Sequence, residues 1–322
     1  MYHMRRLGII LPLALLVSLA AGCRWDGGAE RERAGATAFV DALGDTLRMA
    51  APPQRIVSLA PNVTELVYLL GAQDRLVGVT NVCDWPPEAK KKPQVTSFNP
   101  LNIEAIMAAR PDLVLANRGN AAADLATLRD MRAPLFALEM NTLADLPVGI
   151  RTLGRLLGVS ARGDSVAASW RARMAAVAAR TADVPPQRRP VVFFGSTVEP
   201  IFSVGPGSFI YDLIERAGGR NAFPDAGSAW PRIDLETLVT RDPDVIIVTG
   251  QMTADSARIA ASLKTAPGWR SLRAVQGGRV IVPGDAIMRE GPRLVDALEF
   301  VARALYPDQF PQGVTARARP AG

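Results

Sequence analysis

Histidine is all but absent from this chain of 322 residues: the one copy is His3, inside a leader expected to be removed. A mature chain without imidazole supplies neither histidine ligands to a metal nor the base of a Ser-His-Asp triad. Ser58 and Ser196 therefore have nothing to activate them. Cysteine is nearly as scarce, with Cys83 the only copy beyond Cys23. A lone cysteine closes no intrachain disulfide even in an oxidising compartment, and Cys83 is expected as a small buried apolar residue. The G-x-G-x-x-G and Walker A patterns are both missing, and Gly205-Pro206-Gly207 reads as a turn. No enzyme site, no metal site and no cofactor are expected. Strong charge is lacking too. The formal net charge of +6 falls to +4 once Arg5 and Arg6 leave with the leader, and it reads as spread along the chain. That excludes a nucleic-acid footprint.

What is present begins with an apolar run at residues 8–21, behind Arg5 and Arg6 and ending in small residues. Such a run is a secretory signal peptide, too short for a comfortable membrane span. Its end, LAAGC, resembles the lipobox of bacterial lipoproteins, which implies lipidation of Cys23 and a mature chain starting there. Expected limits are a leader over 1–22, a flexible tether over 23–36 and a loose tail over 310–322. The length between exceeds one typical core and calls for two lobes.

Strand and helix patterns alternate through both halves. Strands are expected at 37–41, 46–49, 55–59, 76–79, 113–116 and 135–138, with a turn at 60–62 and a helix over 64–70 that Thr64 is placed to cap. Helices follow at 102–110, 124–131 and 143–157. The pattern restarts with strands at 191–194, 245–248 and 280–282 and helices at 209–217, 235–240, 259–264 and 293–304. This alternation with short connections predicts parallel α/β layers.

The halves share more than class. LNIEAIMAARPDLVLAN, from Leu101, superposes without a gap on IDLETLVTRDPDVIIVT, from Ile233, so Glu104 falls on Glu236, Pro111 on Pro243 and Asp112 on Asp244. Two copies suggest two related lobes, here 37–158 and 185–309. Asp112 and Asp244, each after a proline at a helix end, read as structural. Between the copies, Val166, Trp170, Met174 and Val177 recur at helical spacing as one apolar stripe. The stretch 159–184 is therefore expected as a single helix between lobes, capped by Ser160 or Asp164 and stopped by Pro185 and Pro186. No functional residue is expected on it.

Two Rossmann-like lobes hold a ligand in the crevice between them, at the carboxyl ends of strands. Trp85, Phe98, Phe194 and Trp230, with Arg118, Arg232, Arg289 and Arg293, fall in or beside the loops that line it. Flat apolar faces with a few charged tips suit a large, partly planar, anionic or amide-rimmed ligand. Trp230, in a non-repetitive loop, is the leading ligand contact. Glu104 and Glu236 each stand two residues after a capping Asn102 or Asp234. Their placement fits either helix-dipole stabilisation or a pair of equivalent acids offered to a partner's cations.

RIVSLAPNVTELVYLLG, VGVTNVCDWPPEAKKKPQV and IEAIMAARPDLVLA are similar to segments of the periplasmic substrate-binding proteins of ABC importers for cobalamin, haem and ferric siderophores. The likeness covers residues 36–308. It implies two α/β lobes joined by one long helix, a ligand between them, and delivery to a permease. DWPPEAKKKPQVTSF, the Arg118-Gly119-Asn120 triplet, AWPRIDLETLV and REGPR resemble most the vitamin B12-binding proteins. By that resemblance Trp230 and Arg289 contact the corrinoid, Phe98 lines its pocket, and Glu104 and Glu236 dock on permease arginines. Asn62, Phe194, Val82 and Asn117 complete the expected ligand contacts. The last two stand where relatives tend to carry aromatics, and Met288 replaces a family acid beside Arg289. The partners implied are a corrinoid or other metal chelate, an ABC permease, and a membrane through the lipid anchor. A monomer in the cell envelope, bound to no nucleic acid, is expected.

Overall fold

The computed structural model describes residues 36–310 except 198, 249–255 and 284. The leader 1–22, Cys23, the tether before Ala36 and the tail after Phe310 lie outside the described residues. A hairpin of β1 (Thr37–Val40) and β2 (Thr46–Met49) comes first. Then follow β3 (Ile56–Ser58), β4 (Leu76–Thr80), β5 (Gln94–Thr96), β6 (Leu113–Asn117) and β7 (Leu135–Leu138), and, in the second half, β8 (Val191–Gly195), β9 (Ile201–Phe202), β10 (Arg220–Asn221), β11 (Arg232–Ile233), β12 (Val245–Val248) and β13 (Val280–Ile281). Two parallel sheets result, ordered β5-β4-β3-β6-β7 and β10-β8-β12-β13, with β9 and β11 as a small antiparallel pair. The inner strands β3, β6 and β12, and also the edge strand β7, are buried throughout. Helices cover both faces of such sheets, which is why these strands read as unbroken apolar runs.

The helices that cover and join them are α1 (Pro61–Leu69), α2 (Ile103–Ala108), α3 (Ala122–Asp130), α4 (Leu146–Leu156), α5 (Ser160–Thr181), α6 (Phe209–Arg216), α7 (Leu235–Arg241), α8 (Ser256–Leu263), α9 (Arg273–Gln276) and α10 (Leu294–Leu305). α1 begins earlier than expected. Residues 60–62 are not a free turn, because Pro61 takes the first helical position its fixed φ favours. Thr64 is consequently no cap; it sits buried in the first turn and donates to the Ser58 hydroxyl at 2.8 Å.

The internal repeat is physical. Asn102 and Asp234 each cap a helix, accepting from Ala105 N at 3.0 Å and Thr237 N at 2.6 Å. Each helix ends on a left-handed residue, Arg110 at φ 47° and Asp242 at φ 40°. Asp112 then accepts the backbone N–H groups of Gln54 and Arg55, both at 2.7 Å, and Asp244 that of Val191 at 2.8 Å. Each aspartate thus ties the end of its helix to the start of its lobe's first sheet strand.

α5 joins the lobes. Val159 stands at its cap position without a side-chain bond, so neither Ser160 nor Asp164 caps it. Asp164 pairs instead with Arg151 of α4. Val166, Trp170 and Val177 are buried and Met174 packs beside them, in one apolar cluster that runs from Ile56 and Leu115 of the first lobe to Phe194, Leu213 and Val245 of the second. α4 and α5 cross where Gly154 meets Gly163. A Cβ on Gly163 would stand 3.0 Å from the Ile150 carbonyl, so a side chain there would have to push the two helix backbones apart. The charge, too, departs from expectation. α4 and α5 carry six arginines against Asp164 alone, a net +5 of the chain's +6.

Candidate functional site

The strand order of the first sheet reverses between β3 and β6, and that of the second between β8 and β12. A crevice opens at such switch points, beyond the carboxyl ends of the strands. Asn62 follows β3 and Asn117 ends β6, so the first switch point is flanked by two amides. Both are buried, at 7% exposure. Residues 289–293 of the second lobe lie against them. Asn62 Nδ2 donates to the Glu290 carbonyl at 2.7 Å, and Gly291 packs on the Asn62 Cβ. The Glu290 carboxyl bonds the Asn117 side chain, and burial pushes it above the usual carboxylate range.

Four charged groups meet beside this contact. Glu65, on α1, is 3% exposed. Arg293 grips it with two bonds of 2.9 Å, from Nε to Oε2 and from Nη2 to Oε1. Arg289 donates Nη1 to Asp84 Oδ1 at 2.6 Å and Nη2 to Asp84 Oδ2 at 3.1 Å, and reaches Glu65 Oε1 at 3.4 Å. The Arg293 guanidinium also stacks on Trp85, 5.0 Å from the ring centroid. The bridge joins the lobes and, among the described residues, sets two cations against two carboxylates. Desolvation raises the Glu65 carboxyl, and the two guanidinium groups only partly offset it. Asp84 is better solvated and is held below the usual range by the Arg289 hydrogen bond.

Large apolar side chains stand exposed in loops and strands: Val82 and Trp85 after β4 and Met288, next to the bridge residues in sequence, and in the second lobe Phe202 in β9 and Trp230 before β11. Trp230 is 47% exposed for a definite reason. Its loop is pinned by backbone bonds from Gly205 N to Ala229 O and from Ser203 N to Pro231 O, both 3.0 Å. Gly205 allows the close approach, since a Cβ there would lie 2.3 Å from the Ser228 carbonyl. The indole is left outside, edge-on to Phe209 at 5.9 Å between centroids.

The expected contacts therefore divide. Trp230 and Val82 are presented to solvent, Phe98 is half-buried on the core, and Arg289, Asn62 and Asn117 are brought together in the interlobe bridge. Phe194 is a correction: at 1% exposure its ring belongs to the core and not to the crevice surface, because central strand β8 is covered on both faces, with Phe193 equally buried on the other. Glu65 was not expected at all. Its one signal is a carboxylate inside the otherwise apolar run VTELVYLL, whose partners lie 224 and 228 residues away. Glu104 and Glu236 are exposed in the first turns of α2 and α7 and form no ion pair among the described residues. Cys83 is buried, accepts from Thr64 at 3.1 Å, and has its thiol pushed up by desolvation.

Comparison with known proteins agrees with this architecture. The sequence profile of the family described as periplasmic binding protein matches residues 56–286. A vitamin B12-binding protein of Pectobacterium carotovorum is 31% identical over 79% of this chain and 89% of its own. An uncharacterized ABC transporter substrate-binding lipoprotein of Bacillus subtilis is 27% identical over 95% of this chain and 99% of its own. The apo structure of a periplasmic heme-binding protein from Roseiflexus superposes with a TM-score of 0.68 at 28% identity, covering 80% of this chain and 99% of that one. With two parallel α/β lobes, a crevice at their switch points and a profile match across most of its length, the chain belongs to the periplasmic binding protein family, the solute-binding proteins of transport.

Proposed function

We propose that this protein captures cobalamin or a related corrinoid and delivers it to the permease of an ABC importer. The observation that carries the corrinoid reading is the charge balance of the crevice. Among the described residues Arg289 and Arg293 are matched by Asp84 and Glu65 and Arg118 by Glu139, which leaves Arg232 as the one exposed cation of that set without an ion pair. What the rim offers instead is exposed indole and aliphatic surface at Trp85, Trp230, Val82 and Met288. A flat macrocycle fringed with neutral amides is suited to such a rim, whereas a haem brings two carboxylates that need cations. The B12-binding relative supports the same choice. In this reading Trp230, Phe98 and Val82 contact the ligand, and Arg289, Asn62 and Asn117 reach it as residues 289–293 shift. Phe194 supports them from the core.

The lobes are assigned to 37–158 and 185–309 with the connecting helix between, the leader to 1–22, the tether to 23–36 and the tail to 310–322. Lipidation at Cys23, supported by the lipoprotein relative, would hold the protein in the envelope as a monomer. Glu104 and Glu236, equivalent in the repeat and exposed, are assigned to permease docking. No catalytic role is proposed.

Calorimetric titration of the mature chain with cyanocobalamin, cobinamide, haem and a panel of ferric siderophores tests the ligand. Heat with a corrinoid and none with haem is expected. The converse sinks the corrinoid and favours the second reading, a haem receptor, for which the Roseiflexus likeness speaks.

A further inference from the structure

The net +5 on α4 and α5 serves nothing in the crevice. Of the six arginines, Arg173 is satisfied by Asp296 and Glu299 of α10, and Arg151 by Asp164. Arg155, Arg162, Arg171 and Arg180 are exposed and pair with no carboxylate among the described residues, as is Arg48 of the neighbouring hairpin. Arg162 donates only to the Leu69 carbonyl, and Arg180 lies over the Phe310 ring. The outermost line of α5 is Ala161, Ser165, Ala168, Ala172, Ala175 and Ala179, all exposed and spaced alternately four and three apart. Small residues at that spacing form one low ridge, so the long arginine side chains on its flanks overtop it. The hairpin that opens the described chain lies at the same place, with Thr37 and Val40 lining a surface hollow together with Thr152 and Arg155.

We infer that this α4–α5 face is an electrostatic contact surface for an anionic lipid bilayer. Charge complementarity favours that partner: four arginines with no carboxylate partner among the described residues, beside an Asp164 already neutralised by Arg151, gain from every anionic headgroup within a Debye length. The chain outside the structure points the same way. A Cys23 anchor leaves a tether of 13 residues, 24–36, leading to β1 beside Arg155. This rests on the envelope location in the reading above but on neither its ligand nor acylation itself.

The test uses the chain from residue 23 to 322 without acyl groups, which retains every described residue, and sedimentation with two kinds of vesicle. Binding is expected to equal parts of phosphatidylcholine and phosphatidylglycerol, not to phosphatidylcholine alone, and to disappear as salt shortens the Debye length from about 10 Å at 0.1 M to about 3 Å at 1 M. Replacing Arg155, Arg162, Arg171 and Arg180 by Gln together should weaken it at least roughly tenfold. The thermal midpoint should fall by no more than the Arg180–Phe310 stack and the Arg162–Leu69 bond contribute, a few degrees at most. A control variant, Lys90→Gln/Lys91→Gln/Lys92→Gln, removes the other basic run and should bind as the parent does. Equal binding to both vesicles, or a lysine variant as impaired as the arginine one, overturns the inference. No corrinoid enters the assay, so failure in the calorimetric titration leaves this result standing, and the reverse holds too.

Discussion

Replacing Arg293 by Met keeps most of the side-chain volume but leaves the buried Glu65 carboxylate with only Arg289 at 3.4 Å. Stripping one partner from a buried ion pair costs about 3–5 kcal/mol, because the remaining charge has neither water nor a counter-ion. Arg289 stays near, and Glu65 can take up a proton with its carboxyl already raised by burial. Those two reliefs lower the expected cost to about 2–3 kcal/mol. The stacking of Arg293 on Trp85 adds about 0.5–1 kcal/mol to the loss. In a chain of this size the sum lowers the thermal midpoint by roughly 5–10 °C. The double variant Arg293→Met/Glu65→Gln removes both charges and should recover at least half of that loss. Asp84→Asn should cost less than about 1 kcal/mol, since Asp84 is 43% exposed and water replaces Arg289. Urea denaturation followed by circular dichroism gives the stability of each variant against the parent, and adding the Glu65→Gln single variant completes the double-mutant cycle. A single Arg293→Met variant within about 0.5 kcal/mol of the parent, or a double variant worse than the single, would refute the view that Glu65 is held ionised by the bridge.

The same bridge predicts opposite titrations: by carbon NMR of the carboxyl groups, Glu65 should titrate above the usual range and Asp84 below it. On acidification the Asp84 contribution, full above the unfolded value, is lost as pH falls through its lowered folded value. The cost of the Glu65 charge is instead relieved as pH falls through its raised one, so Asp84 titrating first would contradict the assigned environments. Gly163→Val should destabilise by about 1–3 kcal/mol, since its Cβ meets the Ile150 carbonyl and the Gly154 Cα; unchanged stability would mean that α4 and α5 part freely. Glu104→Ala/Glu236→Ala should abolish uptake in cells and leave the calorimetric affinity of the purified protein intact, and normal uptake rejects the docking role.

Much of the fold was legible because its signals are local. Asn102 and Asp234 announce their helices within three residues, and the Pro-Asp breaks end them. Asp112 and Asp244 were read as structural, though the strand starts they secure are 57 and 53 residues away. Local reading misled at Thr64, where the hydroxyl looked like a cap and Pro61 had already begun the helix. It misled again at α5, whose start relies on the backbone between Gly154 and Gly163 rather than on a side chain. The site was only partly legible. Trp230 stands out by its loop, but Glu65 gains its meaning from partners in the other lobe, and Phe194 lies in a strand covered on both faces, which no local pattern reveals. Charge counted along the whole chain hid its concentration on two helices.

The apolar cluster that passes unbroken from one lobe through α5 to the other has a consequence for signalling. Swinging the lobes apart would tear a shared interior, so empty and loaded protein keep nearly the same ruler between Glu104 and Glu236. On the docking assignment, a permease that gauged that spacing would learn little about the cargo. On the proposed function, the news of a captured ligand would then be written in the rim, where residues 289–293 meet Asn62 and Glu65.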